Sequence, residues 1–581
     1  MKRFIFPALL CIVLAASCKA QDGIHQLHIL STNDVHGCYF DESYTGGREK
    51  RSLFAVKYYV DSVRSAVGAD NVLLLDAGDC LQGDNAAYYF NYVDTLTPHV
   101  YPRLASYIGY DAIAVGNHDI ETGHAVYDRI TRDLRKAGIP FLAGNAVRTS
   151  DGKPYFEYCK IFRRAGLKVA VLGYTNANIK AWLDESIWSG MDFKSLLPLV
   201  QKDVDAIRKR EKPDAVVVVV HSGSGKGDGS LLESQGRDLL NSLRGVDFVV
   251  NSHDHHPVVE QNGAKWLLNS GSHCRNVAHG VLTAEVKKGK VVSKTLSGEL
   301  IAVDASKADP DMREAFSADF EAVKAFTLRE VGTLERDILT REAYKGMSDY
   351  TNLIHTVCLK ASLADISMAA PLTYNGTVKA GKLIYNDLFT IYPYENQMFV
   401  VKMTGREILA YLEYSYANWI HTVTFPSDRV LNIAKRDDPR TGQKKWSFVA
   451  RSYNFDSAAG ICYTVDITKP AGSRVSIQSL ASGAPFDLNA TYTVAMTSYR
   501  ANGGGGIMPQ GAGIVGDALL EERIIGKYPE IRKLIYDYIV ENGGISVSAI
   551  CDPSLIGSWS FVPSALATKT LSRDYSLLFG E

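Results

Sequence analysis

The chain has 581 residues and a formal net charge of −1 at pH 7. That length exceeds what one hydrophobic core usually supports, so it predicts two large domains. The near-zero charge provides no overall field for a nucleic-acid backbone and argues against a nucleic-acid polymer as partner. Hydrophobic residues make up 46 % and charged residues 22 % of the chain, which is ordinary for a globular protein and excludes a disordered one.

The N-terminal residues 1–18 predict an export signal. A basic pair, Lys2 and Arg3, precedes an apolar stretch over residues 4–16 that is too short for a membrane-spanning helix. Small residues then lead to Cys18, as in bacterial lipoprotein signals, although Ala15 stands where those signals usually carry leucine. We therefore predict a lipid on Cys18 and a periplasmic or outer-membrane-anchored lipoprotein. An ordinary secretory signal is the alternative.

The first half of the chain contains short apolar runs that predict buried strands, and helical segments alternate with them. Five of these runs end in clusters of polar residues: residues 27–30, 72–75, 112–115, 216–220 and 246–250. Alternation of this kind predicts an α/β sheet that carries a functional site along one edge, where the strands end. Strands near residue 267 and over residues 280–297 are expected to form a second, more antiparallel sheet.

The polar clusters contain side chains of the types that bind metal ions. The candidate ligands are Asp34, His36, Asp79, Asn117, His221, His253 and His255. Two pairs of them have a spacing of two residues, which directs both side chains of a pair to the same side of an extended segment. A carboxylate can bridge two ions, whereas an imidazole cannot. The set therefore predicts two divalent ions of the kind used in phosphoester hydrolysis, and mixed nitrogen and oxygen ligands favour Zn²⁺ or Mn²⁺.

His118 is predicted to have a different role from these ligands. It follows Asn117 directly, so its side chain is expected to point away from the ions. That position suits a proton donor or a group that stabilises developing negative charge. Glu121 lies three residues further on, within reach to orient the imidazole.

The second half of the chain mixes predicted strands and helices without an internal repeat. A charged helical segment begins near residue 309 and predicts a connection between domains. We predict a first domain over residues 24–308, a linker helix and hinge over residues 309–345, and a second domain over residues 346–581.

These motifs resemble a known family. Residues 27–260 resemble the calcineurin-type metallophosphoesterase domain, and the whole chain resembles the bacterial 5′-nucleotidase family. That family includes UDP-sugar hydrolases and 2′,3′-cyclic-nucleotide 2′-phosphodiesterase/3′-nucleotidases. The resemblance implies a four-layer α/β metallophosphoesterase sandwich domain followed by an α+β substrate-binding domain. It also implies a small-molecule nucleotide as substrate, and domain motion that admits it.

The resemblance also assigns the site residues. It implies that Asp34, His36, Asp79 and His255 hold one ion, and that Asp79, Asn117, His221 and His253 hold the other. His118 would be the catalytic histidine, with Glu121 at the place where many relatives carry aspartate. In the second domain, Tyr394 and Tyr499 would sandwich the base, and Asn502 belongs to the same substrate-binding motif.

The second half departs from the strict 5′-nucleotidase pattern. Those enzymes carry an aspartate that holds the ribose, and here Gly505 takes its place. They also carry an arginine in a region that here, over residues 369–372, has none. Residues 392–396 and 453–456 resemble the cyclic-phosphodiesterase branch more closely.

We therefore predict an exported dinuclear-metal phosphoesterase that acts on 2′,3′-cyclic nucleotides and 3′-nucleotides. A 5′-nucleotidase or UDP-sugar hydrolase with the same chemistry is the first alternative. A surface-anchored binding lipoprotein with a vestigial site is the second.

Overall fold

The computed structural model describes residues 21–47, 51–437, 443–516 and 522–580. The predicted signal, including Cys18, lies outside the described residues. Among the residues that are described, no helix combines the length and the apolar character that crossing a bilayer requires.

Two six-stranded sheets form the first half. The first sheet contains, in spatial order, Lys290–Ala302, Asn276–Lys287, Gly23–Thr32, Val72–Asp76, Ala112–Ala114 and Phe141–Leu142. The second contains Val258–Asn262, Lys265–Asn269, Phe248–Val250, Ala215–Val220, Leu167–Tyr174 and Cys159–Arg164. The strands that precede the predicted ligands run parallel to one another within each sheet. The predicted single sheet edge is therefore formed by two sheets, each of which contributes strand ends.

The two sheets pack face to face, and helices cover their outer sides. The valine run shows why, because Val217 and Val219 lie in the core between the sheets while Val216, Val218 and Val220 lie in the core under the helices. A strand buried on both faces favours such a run of β-branched residues. The covering helices are Leu53–Val67, Val100–Ile108 and His124–Lys136 on the first sheet, and Leu196–Glu211 and Gly236–Ser242 on the second. The order helix, sheet, sheet, helix is the predicted four-layer arrangement.

One sequence prediction about this half needs correction. The segment over residues 280–297, expected in a second sheet with the strand near residue 267, is a hairpin that belongs to the first sheet. Lys288 and Gly289 both have positive φ (54° and 67°) at its turn, as a tight two-residue hairpin requires. The helix that follows the valine strand begins at Gly236. The backbone before it bonds to the loop after the valine strand, where the Gly223 N–H donates to Glu233 O at 3.1 Å.

The second half contains a five-stranded sheet and two three-stranded sheets. The larger sheet has the order Ser457–Ala459, Ile366–Ala369, Thr491–Thr497, Gln397–Thr404 and Ile524–Glu530. One smaller sheet has the order Val475–Leu480, Ile461–Asp466 and Gly557–Val562. The other has the order Gly381–Ile384, Glu330–Leu334 and Gly544–Ile545. The long helices are Asp349–Ser362, Gly405–Trp419, Ile531–Asn542 and Ser564–Phe579, and Pro310–Ala315 and Ser317–Thr327 connect the halves.

Candidate active site

The seven predicted ligands lie at the carboxyl ends of strands from both sheets. Six of them form two groups of possible metal-binding side chains, Asp34 with His36 and His255, and Asp79 with His221 and His253. Within each group the ligand atoms lie within 4.8 Å of one another. The seventh, Asn117, contacts both histidines of the second group.

The first group joins one carboxylate to two imidazoles. Asp34 Oδ1 lies 3.6 Å from His255 Nε2 and 3.9 Å from His36 Nε2, and these two nitrogens are 2.9 Å apart. The Asn33 amide (2.7 Å) and the His253 backbone N–H (3.0 Å) both donate to Asp34 Oδ2. Those bonds fix the carboxylate so that Oδ1 faces the imidazoles.

The second group surrounds Asp79. Its Oδ2 lies 3.0 Å from His221 Nε2, and its Oδ1 accepts the His118 backbone N–H at 2.8 Å. Asn117 Oδ1 lies 3.0 Å from His221 Nε2 and 2.9 Å from His253 Nδ1. Two imidazole nitrogens and two side-chain oxygens therefore converge on one small space.

Main-chain carbonyls fix the tautomers of two of these histidines. His36 Nδ1 lies 3.1 Å from Gln82 O, and His221 Nδ1 lies 2.8 Å from Ala77 O. A carbonyl only accepts, so in each neutral imidazole Nδ1 carries the proton and Nε2 keeps its lone pair. Proteins commonly orient metal-binding histidines in this way.

The surroundings of Asp34 Oδ1 show whether a cation fits this arrangement. The atom is buried, and no donor among the described residues hydrogen-bonds to it. Leaving a buried polar group unsatisfied costs roughly 1–3 kcal/mol, and more for a charged one. A divalent cation beside Oδ1 and the Nε2 atoms of His36 and His255 satisfies three lone pairs together, so the residues fit a metal site.

Five of the ligands have left-handed backbone conformations. Their φ angles are 48° for Asp34, 49° for His36, 61° for Asp79, 75° for His253 and 57° for His255. Such conformations cost roughly 1–3 kcal/mol each for residues other than glycine and concentrate at functional sites. The strained backbone at these strand ends therefore costs folding stability, and it directs the five side chains towards the candidate site.

His118 pairs with Glu121. The two atoms His118 Nδ1 and Glu121 Oε2 are 2.6 Å apart, so the imidazole donates to the carboxylate. Burial lowers the pKa of His118, but Asp79 and Glu121 outweigh burial and raise it to about 10. At neutral pH both ring nitrogens therefore carry protons.

Asp119 is a functional residue that the sequence analysis missed. Its Oδ1 accepts the N–H groups of Cys80 (2.9 Å) and Leu81 (3.0 Å), and its Oδ2 accepts those of Gly116 (2.8 Å) and Asp79 (3.0 Å). These four bonds tie the turn that carries Asp79 to the neighbouring strand end. The available signal was an aspartate three residues after a turn glycine, which is a helix-capping position.

His273 is a second missed residue. Its ring lies 5.2 Å from that of His36 and 5.8 Å from that of His255, and its backbone N–H donates to Asp34 O at 2.8 Å. His273 follows the strand Lys265–Asn269. Applying the strand-end rule to the predicted strand near residue 267 would have found it.

A cavity of about 1090 Å³ lies between the two halves. Ligands from both groups and His118 line it from the first half, while Tyr394, Tyr453 and Tyr499 line it from the second. Tyr394 is 37 % exposed, so its ring is accessible to a bound molecule. Both tyrosines predicted to hold the base thus line the same cavity as the ligand groups, and Tyr453 adds a third ring.

Asn502 lies elsewhere. Its amide donates to Trp182 O at 3.2 Å, and it is not one of the residues that line this cavity. The Trp182 ring stacks on His253, with 5.2 Å between centroids and 20° between planes. Asn502 therefore supports the wall beside a candidate ligand, and its contact with substrate stays a prediction.

Metal uptake should release protons. Burial raises the pKa of Asp34 to about 8. Burial lowers the pKa of His221, but the negatively charged Asp79 outweighs this effect and raises that pKa to about 9. Because a cation binds the ionised carboxylate and the neutral imidazole, affinity should increase as pH rises from about 6 to 9. Calorimetric titration in buffers of different ionisation enthalpy counts the protons. Affinity that does not depend on pH would contradict these assignments.

Two family profiles match separate parts of the chain. Residues 31–261 match the profile described as bacterial capsule synthesis protein PGA_cap. Residues 330–511 match the profile described as 5′-nucleotidase, C-terminal domain.

Curated relatives extend over both parts. The 5′-nucleotidase of Vibrio cholerae is 24 % identical over 562 residues, which are 90 % of this chain and 93 % of that protein. The 2′,3′-cyclic-nucleotide 2′-phosphodiesterase/3′-nucleotidase of Salmonella typhimurium is 24 % identical over 563 residues, 85 % of this chain and 84 % of the relative. The trifunctional nucleotide phosphoesterase YfkN of Bacillus subtilis is 23 % identical over 616 residues, and the match spans 95 % of this chain but 40 % of YfkN.

Solved structures share the fold. A protein described as a 5′-nucleotidase of Staphylococcus aureus has a TM-score of 0.75 at 20 % identity and covers 92 % of this chain and 99 % of its own. A 5′-nucleotidase precursor of Thermus thermophilus has a TM-score of 0.59 at 20 % identity, with 93 % and 99 % covered. The predicted fold class and the resemblance to the 5′-nucleotidase family are confirmed. The predicted enzyme class, a phosphoric ester hydrolase, is also confirmed.

Proposed function

We propose that the protein is an exported dinuclear-metal phosphoesterase that hydrolyses 2′,3′-cyclic nucleotides and 3′-nucleotides. One observation carries the proposal, which is that the two ligand groups, His118 and the tyrosines line a single cavity. A phosphate ester at one end and a base at the other are the two parts of a nucleotide. The nucleotidases and phosphodiesterases among the relatives support this substrate class.

The ligand groups are proposed to hold two cations. Asp34, His36, Asp79 and His255 would hold one, and Asp79, Asn117, His221 and His253 the other. Once bound, the ions supply Lewis acidity that activates water and neutralises phosphoryl charge. The mixed nitrogen and oxygen ligands favour Zn²⁺ or Mn²⁺ over Mg²⁺ or Ca²⁺.

His118 is proposed to supply the proton for the leaving group. Glu121 accepts the proton on Nδ1, so Nε2–H is the group left for the substrate. The Glu121 carboxylate beside Nδ1 raises the pKa of His118, which favours the protonated imidazole that a general acid needs. In a 2′,3′-cyclic substrate the leaving atom is a ribose oxygen, and general-acid catalysis of this kind contributes about 10²–10⁴-fold to rate.

Gly505 supports the choice of ester. A Cβ at this position would lie 2.3 Å from Arg500 Nη1 and 2.4 Å from Asn454 Oδ1, so a side chain does not fit without displacing both. An aspartate here would hold a ribose by accepting from free hydroxyl groups. A 2′,3′-cyclic phosphate has no such hydroxyls and would be repelled by the carboxylate, whereas 5′-nucleotides benefit from it.

Export and lipid attachment complete the proposal. The basic pair, the short apolar stretch and Cys18 support a periplasmic or outer-membrane-anchored lipoprotein. Labelling cells with a radioactive fatty acid should mark the wild-type protein and leave Cys18→Ser unlabelled. An unlabelled wild-type protein would remove the lipid from the proposal.

A substrate panel tests the function. The metal-loaded protein should release 3′-AMP and then phosphate from 2′,3′-cyclic AMP, and phosphate from 3′-AMP, faster than phosphate from 5′-AMP or UMP from UDP-glucose. A marked preference for 5′-AMP or UDP-glucose would support the first alternative instead. A protein that binds no stoichiometric metal and has no turnover would support a vestigial binding lipoprotein.

Removing the tyrosine rings should weaken binding rather than chemistry. Stacking contributes about 1–3 kcal/mol per base, so Tyr394→Ala or Tyr499→Ala should raise KM for 3′-AMP about 5- to 150-fold. Kinetics with 4-nitrophenyl phosphate serve as the control, because this ester has no base and should respond much less. Equal losses on both esters would contradict a base-stacking role.

A further inference from the structure

A line of buried polar side chains leads from His118 into the second half of the protein. Glu121 Oε2, the partner of His118 Nδ1, also accepts the Gln82 side-chain amide at 3.1 Å. The same amide nitrogen donates to Glu395 Oε2 at 3.5 Å. Arg532 Nη2 donates to Glu395 Oε1 at 3.0 Å. The line thus crosses between the halves at the contact of Gln82 with Glu395.

The far end of this line holds the segment that carries Tyr394. Arg532 Nη1 donates towards three consecutive carbonyls, those of Tyr392 (3.4 Å), Pro393 (3.2 Å) and Tyr394 (3.5 Å). The guanidinium carbon also lies 4.1 Å from the centre of the Phe389 ring. Arg532 therefore links the backbone of Tyr394, which lines the cavity, to the Glu395 carboxylate.

Gln82 connects three functional parts of the molecule. Its main-chain oxygen accepts from His36 Nδ1 at 3.1 Å, which orients a candidate metal ligand. Its side chain supplies one hydrogen to Glu121 and one to Glu395. The amide therefore bridges two carboxylates whose negative charges repel each other.

Packing alone does not account for this cluster. Gln82, Glu395 and Arg532 are 4 %, 5 % and 1 % exposed. Buried charges lose hydration, and apolar side chains of similar volume often stabilise such a place as well or better. These hydrogen bonds instead fix the position of the Glu121 carboxylate, which in turn orients the imidazole of His118.

We infer that Gln82 and Glu395 are positioning residues, which align His118 through Glu121 when the Tyr394 segment is seated against the first half. The inference rests on the proposed function, since it takes His118 as the proton donor. It adds that the position of the base-binding segment and the alignment of the proton donor depend on each other. Arg532 anchors the end of the line but is too deeply buried for a clean substitution.

Kinetics of Gln82→Met and Glu395→Gln in the full-length, metal-loaded protein test the inference. Each variant should lower kcat about 10- to 100-fold, as substitutions behind an active-site group typically do. Metal content should stay at the wild-type value, because Gln82 holds His36 through its main chain. In a Glu121→Ala background, neither substitution should lower kcat further, since the contact through which they act is gone.

Asn386→Ala is the matched control. The Asn85 amide donates to Asn386 Oδ1 at 3.0 Å, which is another contact between the halves but lies outside this line. This variant should keep kcat near wild type, and its small effect should be the same with and without Glu121. A purely structural role for Gln82 and Glu395 would instead give losses that persist in full without Glu121, and that result would overturn the inference.

The outcomes separate this inference from the proposed function. The same variants can be measured on whichever phosphate ester the wild-type protein hydrolyses. Turnover of simple esters but no nucleotide would overturn the nucleotide assignment and leave the comparison in the Glu121→Ala background valid. Unchanged kcat in both Gln82→Met and Glu395→Gln would overturn the positioning role alone. A metal-loaded wild type without any phosphoesterase turnover would overturn both.

Discussion

Asp79→Asn should abolish turnover and the stabilisation that divalent ions provide. Asp79 lies in the second ligand group, and the resemblance assigns it to both ions. Residues behind a metal ligand already contribute about 10–100-fold to affinity or activity, so loss of the shared carboxylate should cost on the order of 10³-fold or more in kcat. An asparagine keeps the shape and one oxygen for the His118 N–H but removes the negative charge.

Thermal unfolding with and without Mn²⁺ or Zn²⁺ gives a readout independent of activity. Binding at a cation concentration of 100 Kd stabilises the folded state by about 2.7 kcal/mol, so the wild type should melt at a higher temperature with metal. Asp79→Asn should show little of this shift. Asp70→Asn, at an exposed carboxylate remote from the ligand groups, should keep the full shift. A full metal-dependent shift in Asp79→Asn would mean that Asp79 holds neither ion.

The strand ends were predictable because local pattern and chain geometry determine them together. An apolar run that stops at Asp, His or Asn marks where a buried strand leaves the core, and parallel strands bring such ends to one edge. The sequence does not specify which strands are neighbours. Asp34, Asp79 and Asn117 follow strands of the first sheet, whereas His221 and His253 follow strands of the second. Their meeting depends on how the two sheets pack.

Residues that act through long-range contacts could not be predicted from local pattern. Gln82 and Glu395 are 313 positions apart, and each taken alone is an ordinary polar residue. Asn502 makes another such contact. Its amide reaches Trp182, 320 positions away, across the boundary between the halves. Motif similarity identified the loop but not this contact.

The hairpin turn within residues 280–297 is hard to locate from the sequence alone. The periodicity of residues 280–297 continues across Lys288 and Gly289 because both arms keep an alternating pattern of burial. Only the two positive φ angles at the turn separate the arms, and the lysine gives no sign of that conformation. A turn with a lysine at one of its two positive-φ positions is therefore difficult to predict from sequence, and the sheet topology that depends on it is too.

His118→Ala should lower kcat for 2′,3′-cyclic AMP and 3′-AMP about 10²–10⁴-fold, the usual contribution of a general acid. Metal content should not change, because His118 is in neither ligand group. KM should change little, since the tyrosines proposed to hold the base are not altered. Metal analysis and steady-state kinetics on the same preparation measure the three quantities, and His124→Ala, at a histidine outside this cavity, is the control.

The leaving group shows whether His118 acts as an acid or only as a charge. A ribose oxygen must gain a proton as it departs, whereas 4-nitrophenolate is a stable anion and needs none. His118→Ala should therefore lose much more activity on 3′-AMP than on 4-nitrophenyl phosphate. Equal losses on both esters would instead indicate that the imidazolium stabilises charge on the phosphoryl oxygens, which every ester develops. Glu121→Gln should show the same dependence on the leaving group with a smaller amplitude, because its amide oxygen still accepts from Nδ1 but raises the pKa of the imidazole less than a carboxylate does.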